Sequence, residues 1–126
     1  MFQNQNTICA LATANGVGAI GVIRLSGSKS YEVVSKSFSK NLVGLSSHTT
    51  HFGTISSKEG ILIDEVLVAI FENGKSFTGE ESVEISCHGS VYIQQKILAI
   101  LIENGCRMAN PGEFTQRAFL NGKMDL

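Results

Sequence analysis

The chain has 126 residues, 43% of them hydrophobic and 17% charged, with 10 Lys and Arg against 11 Asp and Glu for a formal net charge of -1. That size and apolar share suit one domain with one core. The near-neutral balance excludes a global positive field that would gather a phosphate backbone, so free-standing nucleic-acid binding is disfavoured, although a local patch is compatible with it.

Thr7 to Thr13 is rich in β-formers, and Ala19 to Ser26 is a second such run. Ala14-Asn-Gly-Val-Gly18 between them predicts two strands joined by a tight glycine connection. Ser26-Gly-Ser28 marks a turn and a potential N-cap, and Tyr31, Val34 and Phe38 recur at helical spacing, predicting a short amphipathic helix over 29–39. Asn41 to Thr50 reads as a loop. His51 to Ser56 and Ile61 to Phe71 then form two strands around Ser57-Lys-Glu-Gly60, a hairpin signal. Glu72 to Glu81 is polar and glycine-containing and predicts an exposed loop. Ser82 to His88 alternates strictly, with Val83, Ile85 and Cys87 on one face and Ser82, Glu84, Ser86 and His88 on the other. From Ser90 to Glu103 the residues Ile93, Ile97, Leu98, Leu101 and Ile102 form a helix stripe, stopped by Asn104-Gly105. Cys106 to Ala109 is a short last strand.

The densest signal follows it, in Asn110 to Lys123. Pro111 suits a first helical position, Glu113 lies where a helix N-terminus favours negative charge, and Glu113 with Arg117 forms an i,i+4 pair in the favoured order. Phe114 and Ala118 share one stripe. Asn121-Gly122 stops the helix and leaves Lys123 just beyond its end, free to point back toward neighbouring groups or a ligand. The element order predicts an α+β fold: a mainly antiparallel sheet with helices on one face.

Three cysteines, Cys9, Cys87 and Cys106, are widely spaced, odd in number and set in apolar runs, which reads as buried thiols in a reducing cytosol. The N-terminus lacks the basic-then-apolar order of a signal peptide, and no apolar run approaches about 18 residues, so a cytoplasmic protein without a membrane segment is expected. Gly74-Lys75-Ser76 fails as a phosphate loop, because the glycine required five places before Gly74 is Ala69. Gly16, Gly18 and Gly21 are short by one residue for a dinucleotide fingerprint, and no helix follows them. His48, His51 and His88 lack cysteine or carboxylate neighbours at metal-ligand spacing, so no metal site is assigned. Adjacent side chains on a strand point to opposite faces, so Cys87 and His88 are not a nucleophile and its base. No catalytic residue is assigned.

Three charges remain that a core would not accept without partners: Arg24 inside Ile20 to Leu25, Glu84 between Val83 and Ile85, and Lys123 after the last helix. Arg24 and Glu84 either lie on a solvated face or line a cleft for a polar ligand. A carboxylate accepts two parallel hydrogen bonds well, so its mate is an arginine or a flat heterocycle with adjacent ring N–H and amino donors.

In four ordered blocks the chain resembles the N-terminal domain of the MnmE (TrmE) tRNA-modification GTPases. They are Thr7-Ile8 with Ala12-Thr13; Gly18 to Gly27; Ser76-Phe-Thr-Gly-Glu80 with Glu84 and His88-Gly89; and Pro111 to Lys123. The chain departs from the family in the glycine turn, at Ala14, Asn15 and Val17, and at Ser90 where a second glycine is usual. The resemblance implies a single folate-binding and dimerising domain over 1–126, similar in fold to the folate-binding domain of glycine-cleavage aminomethyltransferases. The family's helical and GTPase domains, with GTP, Mg and K, are absent from these residues. Carried over by position, Arg24, Glu84 and Lys123 correspond to contacts of 5-formyl-tetrahydrofolate, the one-carbon source. The implied partners are a second copy in a homodimer, an MnmG/GidA-type flavoprotein and, through the full assembly, tRNA modified at the wobble uridine. Two other readings stand beside this one: a ligand-free homodimerisation module with Arg24 and Glu84 as an ion pair, and a stand-alone one-carbon transferase.

Overall fold

The computed structural model describes residues 6–13 and 18–123, in which the β-branched runs form six strands and the helical-period runs form three helices. They are β1 (Ile8–Leu11), β2 (Ile20–Ser26), α1 (Ser30–Ser35), β3 (Thr49–Ser56), β4 (Leu62–Phe71), β5 (Ser82–His88), α2 (Val91–Glu103), β6 (Arg107–Met108) and α3 (Glu113–Leu120). One sheet takes all six strands in the order β3-β4-β5-β2-β1-β6. Every neighbouring pair is antiparallel except β1 with β6, so the fold is α+β with a mainly antiparallel sheet. The glycine connection at Ala14 to Val17 lies outside the described residues, but the strands it joins pair from Ile8↔Ser26 to Leu11↔Ile23.

Period-two alternation makes one face of the sheet the core. Ile23 and Leu25 of β2, Val66, Val68 and Ile70 of β4, and Val83, Ile85 and Cys87 of β5 are buried with Val33 and Val34 of α1 and Ile97, Leu98 and Leu101 of α2. The Ser90 hydroxyl caps α2 by accepting from the Ile93 N–H, and Gly105 at φ +121° ends it. The buried stripe of α2 is rotated from the expected one, since Gln94 and Ile100 are buried and Ile102 is 43% exposed. Gly21 permits this rotation: a Cβ there would lie 2.5 Å from Gln94 Nε2.

Two expected helices differ at their ends. The first stops at Ser35 instead of Ser39, because residues 37–39 leave the helix to pair with β3. Ser39 N–H donates to Thr54 O at 2.9 Å, and Ser56 N–H donates to Ser37 O at 3.0 Å. Serine and β-branched valine hold a helix weakly, so the sheet edge wins. The last helix begins at Glu113 after Gly112 at φ +75°, leaving Pro111 outside it. There the Glu113 carboxylate turns back to accept the Asn110 N–H at 2.8 Å.

After β5 the chain turns at Gly89, where an added Cβ would lie 1.9 Å from the carbonyl oxygen of Gly18. Backbone cannot yield as a flexible side chain can. Gly89→Ala is expected to lower stability by at least about 2 kcal/mol with an unchanged denaturant slope, read as a lower midpoint in urea unfolding; an unchanged midpoint would show that this contact relaxes freely.

Candidate ligand-binding site

On the face of the sheet opposite the core, strand register places Ala10, Arg24, Glu84 and Ala69 side by side across β1, β2, β5 and β4. Arg24 Nε donates to Glu84 Oε2 at 3.0 Å, and the two side chains are 31% and 33% exposed. A pair so open to water is worth at most about 1 kcal/mol, so a ligand displaces or shares it cheaply. Small alanines flank the pair on both sides, Ala10 beside Arg24 and Ala69 beside Glu84. Among the described residues, Glu84 Oε1 and the Arg24 Nη groups have no hydrogen-bond partner, so each retains capacity for one.

Two aromatic rings frame the guanidinium. The Phe77 ring centre is 5.7 Å from Arg24 Cζ and that of Phe114 is 5.9 Å away, both within cation–π range. Phe114 comes from α3, so α1 and α2 cover the core face while α3 reaches Arg24 on the other. Phe77 comes from the Glu72 to Glu81 loop and is 50% exposed.

That loop is not simply exposed, as its composition suggested. Thr78 is buried, and its hydroxyl lies 2.6 Å from Ser26 Oγ. Glu80 Oε1 accepts from Ser26 Oγ at 2.7 Å and from Arg117 Nη1 at 2.9 Å. Arg117, 1% exposed, also donates to Glu113 Oε2 at 3.2 Å and to Ser26 O at 3.4 Å. Arg107 completes the cluster with a bidentate grip on Glu113, at 2.9 and 2.7 Å. These charge-assisted bonds bind loop, β2, β6 and α3 into one unit. The Glu113 carboxyl is held down to about 2, mainly by the Arg107 hydrogen bonds and, against the penalty of burial, by the Asn110 N–H and the two guanidinium charges.

Of the three predicted site residues, the structure brings Arg24 and Glu84 into contact. Lys123 hydrogen-bonds elsewhere: its Nζ donates to Gly74 O at 2.6 Å, and nearby Asn121 Nδ2 donates to Thr78 O at 2.8 Å. The tail of α3 is therefore tied to the loop that carries Phe77.

Sequence reasoning missed Glu80 and the burial of Arg117 and Asp64. Asp64 carried a readable signal, since it shares strand parity with the buried Val66, Val68 and Ile70. Its carboxylate, 7% exposed, accepts the His88 N–H at 2.8 Å and lies 2.7 Å from His88 Nδ1. His88 borders a depression of about 280 Å³ that also includes Ile20, Phe52, Glu65, Leu67 and Ser86. It is four residues along β5 from Glu84, roughly 13 Å at strand rise, which is too far to act on a small group held there. Among the described residues no three His, Cys, Asp or Glu side chains are grouped as a metal would need, and no helix is long and apolar enough to cross a membrane.

A sequence profile of the family described as GTP-binding protein TrmE N-terminus matches residues 7–123. The chain is 53% identical over 125 residues to the tRNA modification GTPase MnmE of Cytophaga hutchinsonii, covering 98% of this chain and 27% of that protein. Proteins of the same name from Bacteroides thetaiotaomicron and Flavobacterium johnsoniae are 56% identical over 129 residues and 52% over 127, again with 98% and 27% covered. The chain thus spans about a quarter of the length of these curated relatives.

Glu113 gives the cluster a pH signature. Its folded value of about 2 lies below its ordinary 4.5, so its stabilisation is full above about pH 4.5 and is lost as pH falls toward 2. At neutral pH Glu113→Gln should lower stability by about 3 kcal/mol, and urea titrations from pH 7 to 3 should show that deficit shrinking below pH 4.5; a deficit that ignores pH would remove the assignment.

Proposed function

The chain belongs to the family of the GTP-binding protein TrmE N-terminus, and on that premise we propose that it is a homodimerising domain that binds 5-formyl-tetrahydrofolate within a cytoplasmic tRNA-modification GTPase. The observation that carries the reading is the Arg24–Glu84 pair, open to water, flanked by alanines and framed by Phe77 and Phe114. A pterin presents an amino group beside a ring N–H, which a carboxylate grips with two hydrogen bonds. Glu84 is that carboxylate. Arg24, released from Glu84 or sharing it, meets a carbonyl oxygen or the glutamate tail, and the exposed Phe77 ring stacks against a flat heterocycle. Lys123, now resting on a backbone carbonyl, turns to the ligand without breaking an ion pair.

When bound, the folate supplies a one-carbon unit; the described residues hold and orient it. The aminomethyl-type group goes to the wobble uridine of tRNA in concert with an MnmG/GidA-type flavoprotein, while GTP with Mg and K belongs to a GTPase domain elsewhere in the whole protein. Dimerisation uses the same face of the sheet as the ion pair, where Ile20, Phe52 and Leu67 are 63%, 55% and 47% exposed.

The observed ion pair also supports a second reading, a dimerisation module that holds no ligand. Titration calorimetry with 5-formyl-tetrahydrofolate, run beside sedimentation of the same sample, separates the two. Saturable heat from a dimer is expected, weakened by about 1.5 to 3 kcal/mol in Glu84→Ala, or roughly tenfold to a hundredfold. A tight dimer that gives no heat would leave only the second reading, whereas equal affinity after the substitution would remove Glu84 as the carboxylate that grips the pterin.

A further inference from the structure

Two of the three cysteines are in sulfur contact. Cys9 on β1 and Cys106, immediately before β6, are 97 positions apart in sequence, and their Sγ atoms lie 3.2 Å from one another. A covalent S–S bond is about 2.05 Å, so closing the gap needs roughly 1 Å of movement. Met108 Sδ lies 4.0 Å from Cys9 Sγ. The third thiol, Cys87, stands apart on β5 and donates to Gly21 O at 3.5 Å.

We propose that Cys9 and Cys106 form a redox pair that hydrogen peroxide converts reversibly into an intramolecular disulfide. The inference does not rest on the ligand reading. Cys106 is the attacking sulfur: its thiolate takes one peroxide oxygen to give a sulfenic acid, and the O–O bond breaks to release hydroxide. The Cys9 sulfur then attacks the sulfenyl sulfur, the S–O bond breaks, and the oxygen leaves as water with the Cys9 proton. The hydroxide takes up the proton that the Cys106 thiol had lost, so the two thiols lose two electrons and the peroxide gains them as two molecules of water. The contact between the sulfurs matches these roles. It holds the Cys106 thiol below its ordinary value and pushes the Cys9 thiol far up, with burial adding to the rise. Cys87 has no such neighbour, and burial pushes it up to about 11.

Both sulfurs are buried, with Cys9 0% and Cys106 5% exposed, so the reagent must be small and the cover must open. β6 provides the opening. It is the last strand at the sheet edge and pairs with β1 over two residues, Ile8↔Arg107 and Cys9↔Met108, and short edge pairings open locally at low cost. A disulfide would then fasten to β1 the segment whose Arg107 grips Glu113, at the base of α3.

The test treats the reduced chain with dilute hydrogen peroxide, blocks remaining thiols under denaturing conditions and maps the peptides by mass spectrometry. Loss of two hydrogens with a linked Cys9–Cys106 peptide, an alkylated Cys87 and full reversal by dithiothreitol is the expected result. Cys9→Ser should instead leave a sulfenic acid on Cys106 that dimedone traps. Oxidation confined to Met108 or Cys87, a linkage through Cys87 or between chains, or alkylation of both Cys9 and Cys106 after treatment would overturn the proposal.

Discussion

The guanidinium of Arg117 is the constraint around which the side of the sheet opposite the core is arranged. It is 1% exposed and holds Glu80 from the loop after β4, Glu113 from its own helix and the backbone of Ser26 at the end of β2. A buried charge without partners costs several kcal/mol, so each of these groups must remain in place while the domain is folded. The consequence is positional. Phe77 and Gly74 belong to the loop that Glu80 anchors, and Phe114 and the tail leading to Lys123 belong to the helix that Glu113 anchors.

The contrast with Arg24 is instructive. Arg117 and Glu113 are buried, multiply bonded and expensive to separate, whereas Arg24 and Glu84 are each about a third exposed and joined by one hydrogen bond. The first set behaves as scaffold and the second as a pair available for exchange. The alanines at positions 10 and 69 reinforce this difference, since larger side chains in those registers would roof the pair over. An exchangeable carboxylate and guanidinium on a rigid frame suit recognition of a planar, polar heterocycle.

Much of the sheet was legible because the strands obey period two: Val83, Ile85 and Cys87 inward and Glu84 outward follow from alternation alone. The i,i+4 pairing of Glu113 with Arg117 was legible for the same reason, as local spacing on a helix. What local rules could not supply was anything fixed by distant chain. Glu80 meets Arg117 across 37 positions, residues 37–39 abandon the first helix for β3, and Gln94 is buried because Gly21 lies beneath it. The Glu72 to Glu81 loop looked like solvent-facing linker by composition, and only its partners on α3 and β2 reveal why Thr78 is buried. Of the three candidate residues, register could pair Arg24 with Glu84, but nothing local could say that Lys123 rests on Gly74.

Amide hydrogen exchange on Arg117→Met tests the central claim most directly, because the substitution keeps the volume and removes the charge that joins loop, helix and strand. Protection should fall selectively across residues 72–81 and α3 while the β3, β4 and β5 amides keep theirs. Unchanged protection in that loop would mean that something other than the Arg117 cluster holds it, and the account of how the face is organised would be wrong.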